Sequence, residues 1–249
     1  MKNAIDAYLR RNDYDSINLK AVLFDMDGVL FNSMPSHATA WHEVMKIYGM
    51  NLSREEAYMH EGRTGASTIN LVSLRDRGRE ATTEEIEEIY REKSRIFNSF
   101  PEAERMEGAW ELLQQIKASG LKTMVVTGSG QLSLLDRLES NFPSTFTRES
   151  MVTAFDVKIG KPNPEPYLMA LEKGGLKPNE AIVVENAPLG VQAGVAAGIF
   201  TITVNTGPLP EQVFHEAGAD WVFPSMPALT EKWEEVRRLL EKSGRDNRE

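Results

Sequence analysis

Phe24-Asp25-Met26-Asp27-Gly28-Val29-Leu30 decides how this chain is read. It closes an apolar run, 21–24, of the kind that forms a buried strand. Two carboxylates and a glycine then break the run where such a strand would reach the surface. In a continuing strand, positions i and i+2 share a face. Here the chain turns, so Asp25 can point into a site while Asp27 leans over it from the loop. That pairing suits a carboxylate nucleophile, a neighbouring carboxyl acid/base and a divalent cation. The plain alternative is an acidic turn at a strand end, because Asp and Gly are common turn residues. Three segments further along the chain decide between them.

The chain has 249 residues, 41% hydrophobic and 26% charged, enough for one large domain or a core carrying an insert. The net charge of −9 leaves no basic face for nucleic acid. Arg75 to Arg79 and Arg237-Arg238 are flanked by acids and read as solvated helix faces. With no cysteine, disulfides, thiol nucleophiles and thiolate zinc sites are excluded. No apolar run approaches the ~18 residues of a membrane span, and residues 1–20 carry no signal-peptide core. A cytoplasmic protein is the expectation, and nothing in the sequence sets its oligomeric state; a monomer is compatible with it.

Working outward from the first strand, residues 1–18 read as a short polar helix or arm, with a break at 13–16. After Pro35 the apolar residues recur at three and four, as in Ala38, Trp41, Val44, Met45 and Tyr48. Further helical patterns cover 53–59, 67–77 and 82–97, and no convincing strand appears between 35 and 105. Then the rhythm changes. Helices at 108–119, 131–139, 164–173 and 189–197 alternate with strands at 122–127, near 151–154, at 181–184 and at 199–204. A weaker strand at 221–223 precedes a last helix at 229–240, and the tail beyond 242 should fray. Alternation of this kind predicts a doubly wound parallel α/β sheet covered on both faces. The expected organisation is an arm at 1–18, a core of 19–34 plus 104–242, and an all-helical cap at 35–103. Gly190, Gly194 and Gly198 are expected on one helix face, packed close to the sheet. Met45, Met59, Met106, Met124 and Met169 are expected as core filler.

Ligands of such sheets bind at the carboxyl ends of the strands, and three more candidates fall there. Thr127-Gly128-Ser129-Gly130 offers a hydroxyl and free N–H groups at a helix start, an anion site. It is not a dinucleotide fingerprint, because its third glycine position is Ser133 and it follows the second core strand. Lys161, in Gly160-Lys161-Pro162-Asn163-Pro164, stands in a stiff loop where it can neutralise a phosphate and an aspartate together, whereas Lys158 reads as a surface lysine. Glu185-Asn186 sets a carboxylate and an amide oxygen at a strand end, which suits Mg²⁺.

In this order the four pieces resemble the haloacid dehalogenase superfamily of phosphotransferases, in its β-phosphoglucomutase-like branch with a helical cap after the first strand. The resemblance runs from residue 20 to about 225. His37 and Trp41, spaced His-x-x-x-Trp, fit that branch. It implies that Asp25 attacks phosphorus and Asp27 serves as acid and base. Thr127, Gly128, Ser129 and Lys161 hold the transferring oxygens. Asp25, Asp27, Asn186 and Glu185 are implied as metal ligands, with Mg²⁺ as cofactor. The cap loop Met59-His60-Glu61-Gly62-Arg63-Thr64-Gly65 would read the substrate. Two residues depart from the pattern. Asn186 stands where the metal motif usually ends in aspartate, which implies weaker Mg²⁺ binding. Glu61 stands where a mutase carries a cation, and Gly65 at the arginine position, with Arg63 and Lys93 as partial substitutes. The loop is similar to that of an inorganic pyrophosphatase of the same branch. The expected activity is therefore hydrolysis of a small phosphorylated compound, pyrophosphate first, with a β-phosphoglucomutase as the alternative. A weak binding or regulatory protein is a further reading, suggested by Asn186.

Overall fold

Val22 and Phe24 face one apolar cluster and Ala21 and Leu23 the other, so all four residues of strand β1 (Ala21–Phe24) are buried. A strand with both faces covered reads as an unbroken apolar run. β1 lies in the middle of a six-stranded parallel sheet, in the computed structural model that describes residues 1–129 and 134–243.

Before β1 comes helix α1 (Lys2–Asn12). After β1 four helices follow without a strand: α2 (Met34–Ile47), α3 (Arg54–Met59), α4 (Gly65–Arg77) and α5 (Thr83–Phe97). They close a separate apolar cluster around Val44, Met45, Leu52, Ile69, Val72 and Ile89. Thr82 starts α5 with a reciprocal cap: its hydroxyl accepts from Glu85 N–H and its own N–H donates to the Glu85 carboxylate. The chain then returns through α6 (Ala109–Ala118), β2 (Lys122–Val126), α7 (Leu134–Asn141) and β3 (Met151–Val152). It continues with α8 (Glu165–Gly174), β4 (Ala181–Glu185), α9 (Pro188–Ala196), β5 (Phe200–Val204), α10 (Glu211–Glu216), β6 (Trp221–Phe223) and α11 (Met226–Glu241).

The strand order is β3-β2-β1-β4-β5-β6. Phe24 is in register with Val125 on one side and Val184 on the other. The chain runs from β1 to β2 on one flank and later to β4 on the opposite flank. That reversal opens a crevice beyond the carboxyl end of β1, and the ends of β1, β2 and β4 meet there. The doubly wound sheet with a helical cap therefore stands as the sequence implied.

Several details differ from the sequence reading. α1 is docked rather than free: Ile5, Tyr8 and Leu9 are buried, and the Tyr8 hydroxyl donates to Gly198 O at 3.0 Å. Its apolar stripe is three residues wide, so the charged remainder dominates the composition. Helix α10 was not anticipated; at six residues it is too short to show a period. Met59 is exposed, whereas Met45 and Met124 are buried as core filler. A Cβ on Gly190 or Gly194 would fall 1.8 Å from Glu185 Oε1 or 2.6 Å from Thr201 Oγ1, which is the expected close packing on the sheet. Gly198 instead lies beyond α9 at φ +74, a left-handed turn that favours glycine. The tail expected to fray lies, from 244 on, outside the described residues.

Tyr8 is the test of α1 as part of the core. Tyr8→Ala should lower unfolding stability by roughly 3–5 kcal/mol in urea, the range for truncating a large buried aromatic. A loss below about 1 kcal/mol, the scale of a single hydrogen bond, would mean that α1 is a detachable arm.

Candidate active site

Asp25 sits one residue past β1, and its N–H still donates to Val184 O at 3.0 Å, extending the ladder to β4. The strand pairing thus fixes its backbone, and its side chain is buried. Burial, with the nearby Glu185 and Asp27 charges, pushes the Asp25 carboxyl up to about 7 against the pull of Lys161. The turn that follows needs Gly28. Its φ is +85, and a Cβ there would lie 2.1 Å from Asn186 Nδ2.

That turn places Asp27 under the cap. Its Oδ1 accepts from the Ser33 hydroxyl at 2.5 Å, and His37 Nε2 stands 3.4 Å away. Burial works against the charge, but His37, Ser33 and the Arg137 charge outweigh it and hold Asp27 well below the ordinary carboxylate range. Behind His37, the Lys93 ammonium lies 2.8 Å from Nδ1. The His37 ring stacks on Phe97 at 4.0 Å. Burial and the Lys93 charge lower His37 against the pull of Asp27, and the ring lies between the Lys93 ammonium at Nδ1 and the Asp27 carboxylate at Nε2.

Thr127 follows β2, and its N–H donates to Val152 O at 2.9 Å. Its hydroxyl accepts from Ser129 N–H at 3.0 Å. Gly130, the last residue of the expected anion loop, lies outside the described residues, as do 131–133 of the helix expected after it. Lys161 follows β3 and is buried. Its ammonium donates to Asp25 Oδ1 at 2.5 Å, Glu185 Oε1 at 2.7 Å and Val126 O at 3.0 Å. Burial would lower it, yet Asp25 and Glu185 hold it charged, well above the ordinary lysine value.

After β4 the two expected metal residues part ways. Glu185 Oε1 takes Lys161 and the Tyr167 hydroxyl, and Oε2 takes the N–H groups of Asn186 and Ala187. With four donors on it, Glu185 sits as the anchor of Lys161 and of the strand-end turn, with little left for a cation. Asn186 donates from Nδ2 to Glu61 Oε2 at 3.0 Å, and its buried Oδ1 has no protein partner. Glu61 is thus not an exposed loop acid. Burial, then the charges of Asp25, Glu185 and Asp27, push its carboxyl well above the ordinary value, with Asn186 opposing. Its Oε1 is likewise buried without a partner. Arg63 Nη1 donates to Ser67 Oγ at 3.3 Å, and its Nε is unpartnered.

One cavity of about 100 Å³ joins core and cap. Its walls include Asp25, Asp27, Thr127, Gly128 and Ser129 from the core, and His37, Glu61, Arg63 and Lys93 from the cap. Lys161, Glu185 and Asn186 stand behind its floor. Sequence reasoning missed Ser33 and Tyr167. Neither carries a motif signal, since each acts through the neighbour it contacts.

The donor set fits Mg²⁺. Asp25 and Glu61 line the cleft, Asn186 is hydrogen-bonded to Glu61, and the Asp25 carboxylate with the buried, unpartnered Glu61 Oε1 and Asn186 Oδ1 makes a set of hard oxygen ligands. Among the described residues no three His, Cys, Asp or Glu side chains gather as a protein-only metal cage. That is consistent with an ion held by one or two carboxylates, an amide oxygen, waters and a substrate phosphate.

A family described as Haloacid dehalogenase-like hydrolase matches residues 22–204. Hexitol phosphatase A of Escherichia coli is 31% identical over 75% of this chain and 83% of its own. A phosphorylated carbohydrates phosphatase of Thermotoga maritima is 30% identical over 73% of this chain and 82% of its own. A solved structure from Bacteroides vulgatus, provisionally described as a beta-phosphoglucomutase, is 65% identical. It superposes with a TM-score of 0.94 over 97% of this chain and 98% of the other.

Lys93 shows stability given up for the site. Burial pushes its ammonium down to about 8, below the ordinary 10.5, with Asp27 opposing. The folded state therefore binds this proton less tightly than the unfolded state. The cost is full below pH 8 and fades as pH rises through 10.5, and at ~1.36 kcal/mol per pKa unit it is at most roughly 3 kcal/mol. Lys93→Met should stabilise the fold at pH 7 by about 1–2 kcal/mol once the His37 hydrogen bond is gone, with a smaller gain at pH 9.5, and should depress turnover. Urea unfolding at the two pH values checks this; a destabilised variant at pH 7 would contradict it.

Asn186→Asp adds a charge beside Glu61 and removes the donor that Glu61 uses. The variant should melt lower than the wild type without metal, yet gain more in melting temperature from saturating Mg²⁺. An equal or smaller Mg²⁺ gain would remove residue 186 from the metal site.

Proposed function

The chain belongs to the haloacid dehalogenase-like hydrolases, and we propose that within them it is a Mg²⁺-dependent phosphohydrolase acting through an aspartyl-phosphate on Asp25, with inorganic pyrophosphate as its first substrate. One observation carries the substrate class. Of the ten buried side-chain atoms without a partner among the described residues, three belong to residues lining this cleft, His60 Nδ1, Glu61 Oε1 and Arg63 Nε, and a fourth, Asn186 Oδ1, belongs to the hydrogen-bond partner of Glu61. Each such atom costs about 1–3 kcal/mol if it stays unpaired. Two of them only accept and Arg63 Nε only donates. A ligand that serves both kinds brings a cation and an oxyanion together, as a metal-complexed phosphate does. The cavity is also small, and the Glu61 carboxyl over it disfavours a bulky dianionic sugar.

Asp25 attacks phosphorus in line, forming its O–P bond as the bridging P–O bond to the leaving phosphate breaks. Lys161, Thr127 and the N–H groups of Gly128 and Ser129 hold the transferring oxygens, so catalysis is mainly positioning and charge neutralisation. Asp27, on which Ser33 and His37 both converge, rests as the carboxylate. It then takes a proton from water as the water oxygen bonds to phosphorus and the Asp25–phosphorus bond breaks. Phosphate leaves more readily than a sugar alkoxide, so a resting carboxylate at Asp27 is no handicap for pyrophosphate. Mg²⁺, held by the Asp25 carboxylate, the Asp27 main-chain carbonyl, Asn186 Oδ1 and Glu61 Oε1 with Glu185 behind them, would supply charge neutralisation at the phosphoryl group. The helical segment 35–103 serves as the cap that excludes water and reads the substrate.

A second reading is a phosphatase or mutase of phosphorylated carbohydrates, favoured by what the relatives are named for and by the apolar Trp41, Leu52 and Tyr90 in the cap side of the cavity. Turnover with Mg²⁺ should be at least tenfold faster in kcat/KM for pyrophosphate than for hexose phosphates, and Asp25→Asn should abolish it with the fold intact. Faster hydrolysis of hexose phosphates, or interconversion of glucose phosphates exceeding hydrolysis, would establish the second reading instead.

A further inference from the structure

Glu185 Oε1 receives two donors, and the arithmetic of hydrogen atoms around it points to a residue outside the four motifs. Tyr167 is fully buried on the first turn of α8, and its hydroxyl donates to Glu185 Oε1 at 2.8 Å. Lys161 Nζ donates to the same oxygen at 2.7 Å and lies 5.1 Å from the centre of the Tyr167 ring. An ammonium has three hydrogens. Those of Lys161 are committed to Asp25, Val126 O and Glu185. None remains for a phosphoryl oxygen, so one acceptor has to be released when Lys161 engages the transferring group.

Val126 O is a strand carbonyl fixed by the sheet, and Asp25 is the attacking group beside which Lys161 has to stay. Glu185 Oε1 is the acceptor that can be given up, provided another donor stays on it. It cannot itself move to find one. Its carboxylate is wedged against α9, where even a Cβ on Gly190 would fall 1.8 Å from Oε1, and Oε2 is pinned by two backbone N–H groups. A buried carboxylate oxygen stripped of its donor is costly.

We propose that Tyr167 is a positioning residue for phosphoryl transfer: by keeping its hydroxyl on Glu185 Oε1, it frees one Lys161 hydrogen to turn from Glu185 to the transferring phosphoryl oxygen. The proposal rests on the phosphohydrolase reading but not on which substrate is used. In the absence of the hydroxyl, Glu185 holds Lys161 back, and the phosphoryl group is left without a hydrogen bond that forms as its charge develops. Such a deficit appears in kcat rather than KM.

Tyr167→Phe isolates the hydroxyl, because the ring, its packing and its approach to Lys161 are retained. With Mg²⁺, kcat should fall about 5- to 50-fold, equally for pyrophosphate and p-nitrophenyl phosphate, with KM within about threefold. Inhibition by orthovanadate should weaken by a factor similar to the loss in kcat, and inhibition by inorganic phosphate by less than about threefold. In a Glu185→Gln background, where the neutral amide grips Lys161 less, the same substitution should cost less than about threefold, a non-additivity that packing alone would not produce. The proposal is overturned if kcat stays within twofold of the wild type, if KM carries the change, or if the cost is the same in both backgrounds. Absence of pyrophosphate turnover in the wild type would sink the substrate assignment alone, because p-nitrophenyl phosphate still reads Tyr167.

Discussion

The Lys161 ammonium, buried between Asp25 and Glu185, is the interaction on which the rest of this site depends. Taking three charges out of water is expensive, and such a cluster persists only where geometry and extra hydrogen bonds compensate. The parallel sheet supplies that geometry. β1, β2 and β4 are neighbours, so Asp25, Val126 O and Glu185 fall at adjacent strand ends, and the ammonium finds an acceptor on each. Asp27 and Glu61 bring two more carboxyls to the same crevice. Burial first, and then these neighbouring negative charges, raise Asp25 and Glu61 in pKa, and a divalent cation fits the arrangement.

The cap is coupled to this cluster through close approach of backbones. A Cβ on Gly62, which sits at φ +88, would come within 3.1 Å of the Lys161 side chain, and one on Gly160 would come within 3.0 Å of Thr64. Larger residues there would lift the cap loop from the core. With the loop seated, Glu61 reaches Asn186, and α2 and α5 carry His37 and Lys93 to Asp27. The asparagine has a physical reason in this setting. An aspartate could not donate to Glu61, and its charge would add to an acidic crevice. The buried Lys93 is the counterpart, a cation kept near Asp27 at a cost in stability, as functional sites commonly do.

The amino-acid sequence made the core legible because its signals are local. An apolar run ending in Asp25-Met26-Asp27-Gly28 is a buried strand followed by a turn that only glycine can make. Strand and helix then alternate at intervals that admit a parallel sheet, and Thr127, Lys161 and Glu185-Asn186 each follow a strand. What stayed hidden depends on contacts between distant segments. The burial of Tyr8 needs Gly198, 190 residues away. The inward turn of Glu61 needs Asn186, and the saturation of Glu185 needs Tyr167 on another helix. The glycine spacing 190, 194, 198 looked like one packing stripe, but the helix ends before its third member. Periodicity locates a helix better than it locates the helix's end.

The central claim is that Asp25 becomes covalently phosphorylated. The most direct measurement is acid-quenched peptide mass spectrometry of the Asp27→Asn variant after brief exposure to pyrophosphate and Mg²⁺. That variant keeps Asp25 and Lys161 but lacks the carboxylate proposed to activate water, so the intermediate should accumulate. The account predicts one phosphoryl group on the peptide containing Asp25, absent from an Asp25→Asn, Asp27→Asn double variant. A phosphoryl group on another residue, or turnover by the wild type with no labelled peptide in any variant, would contradict it.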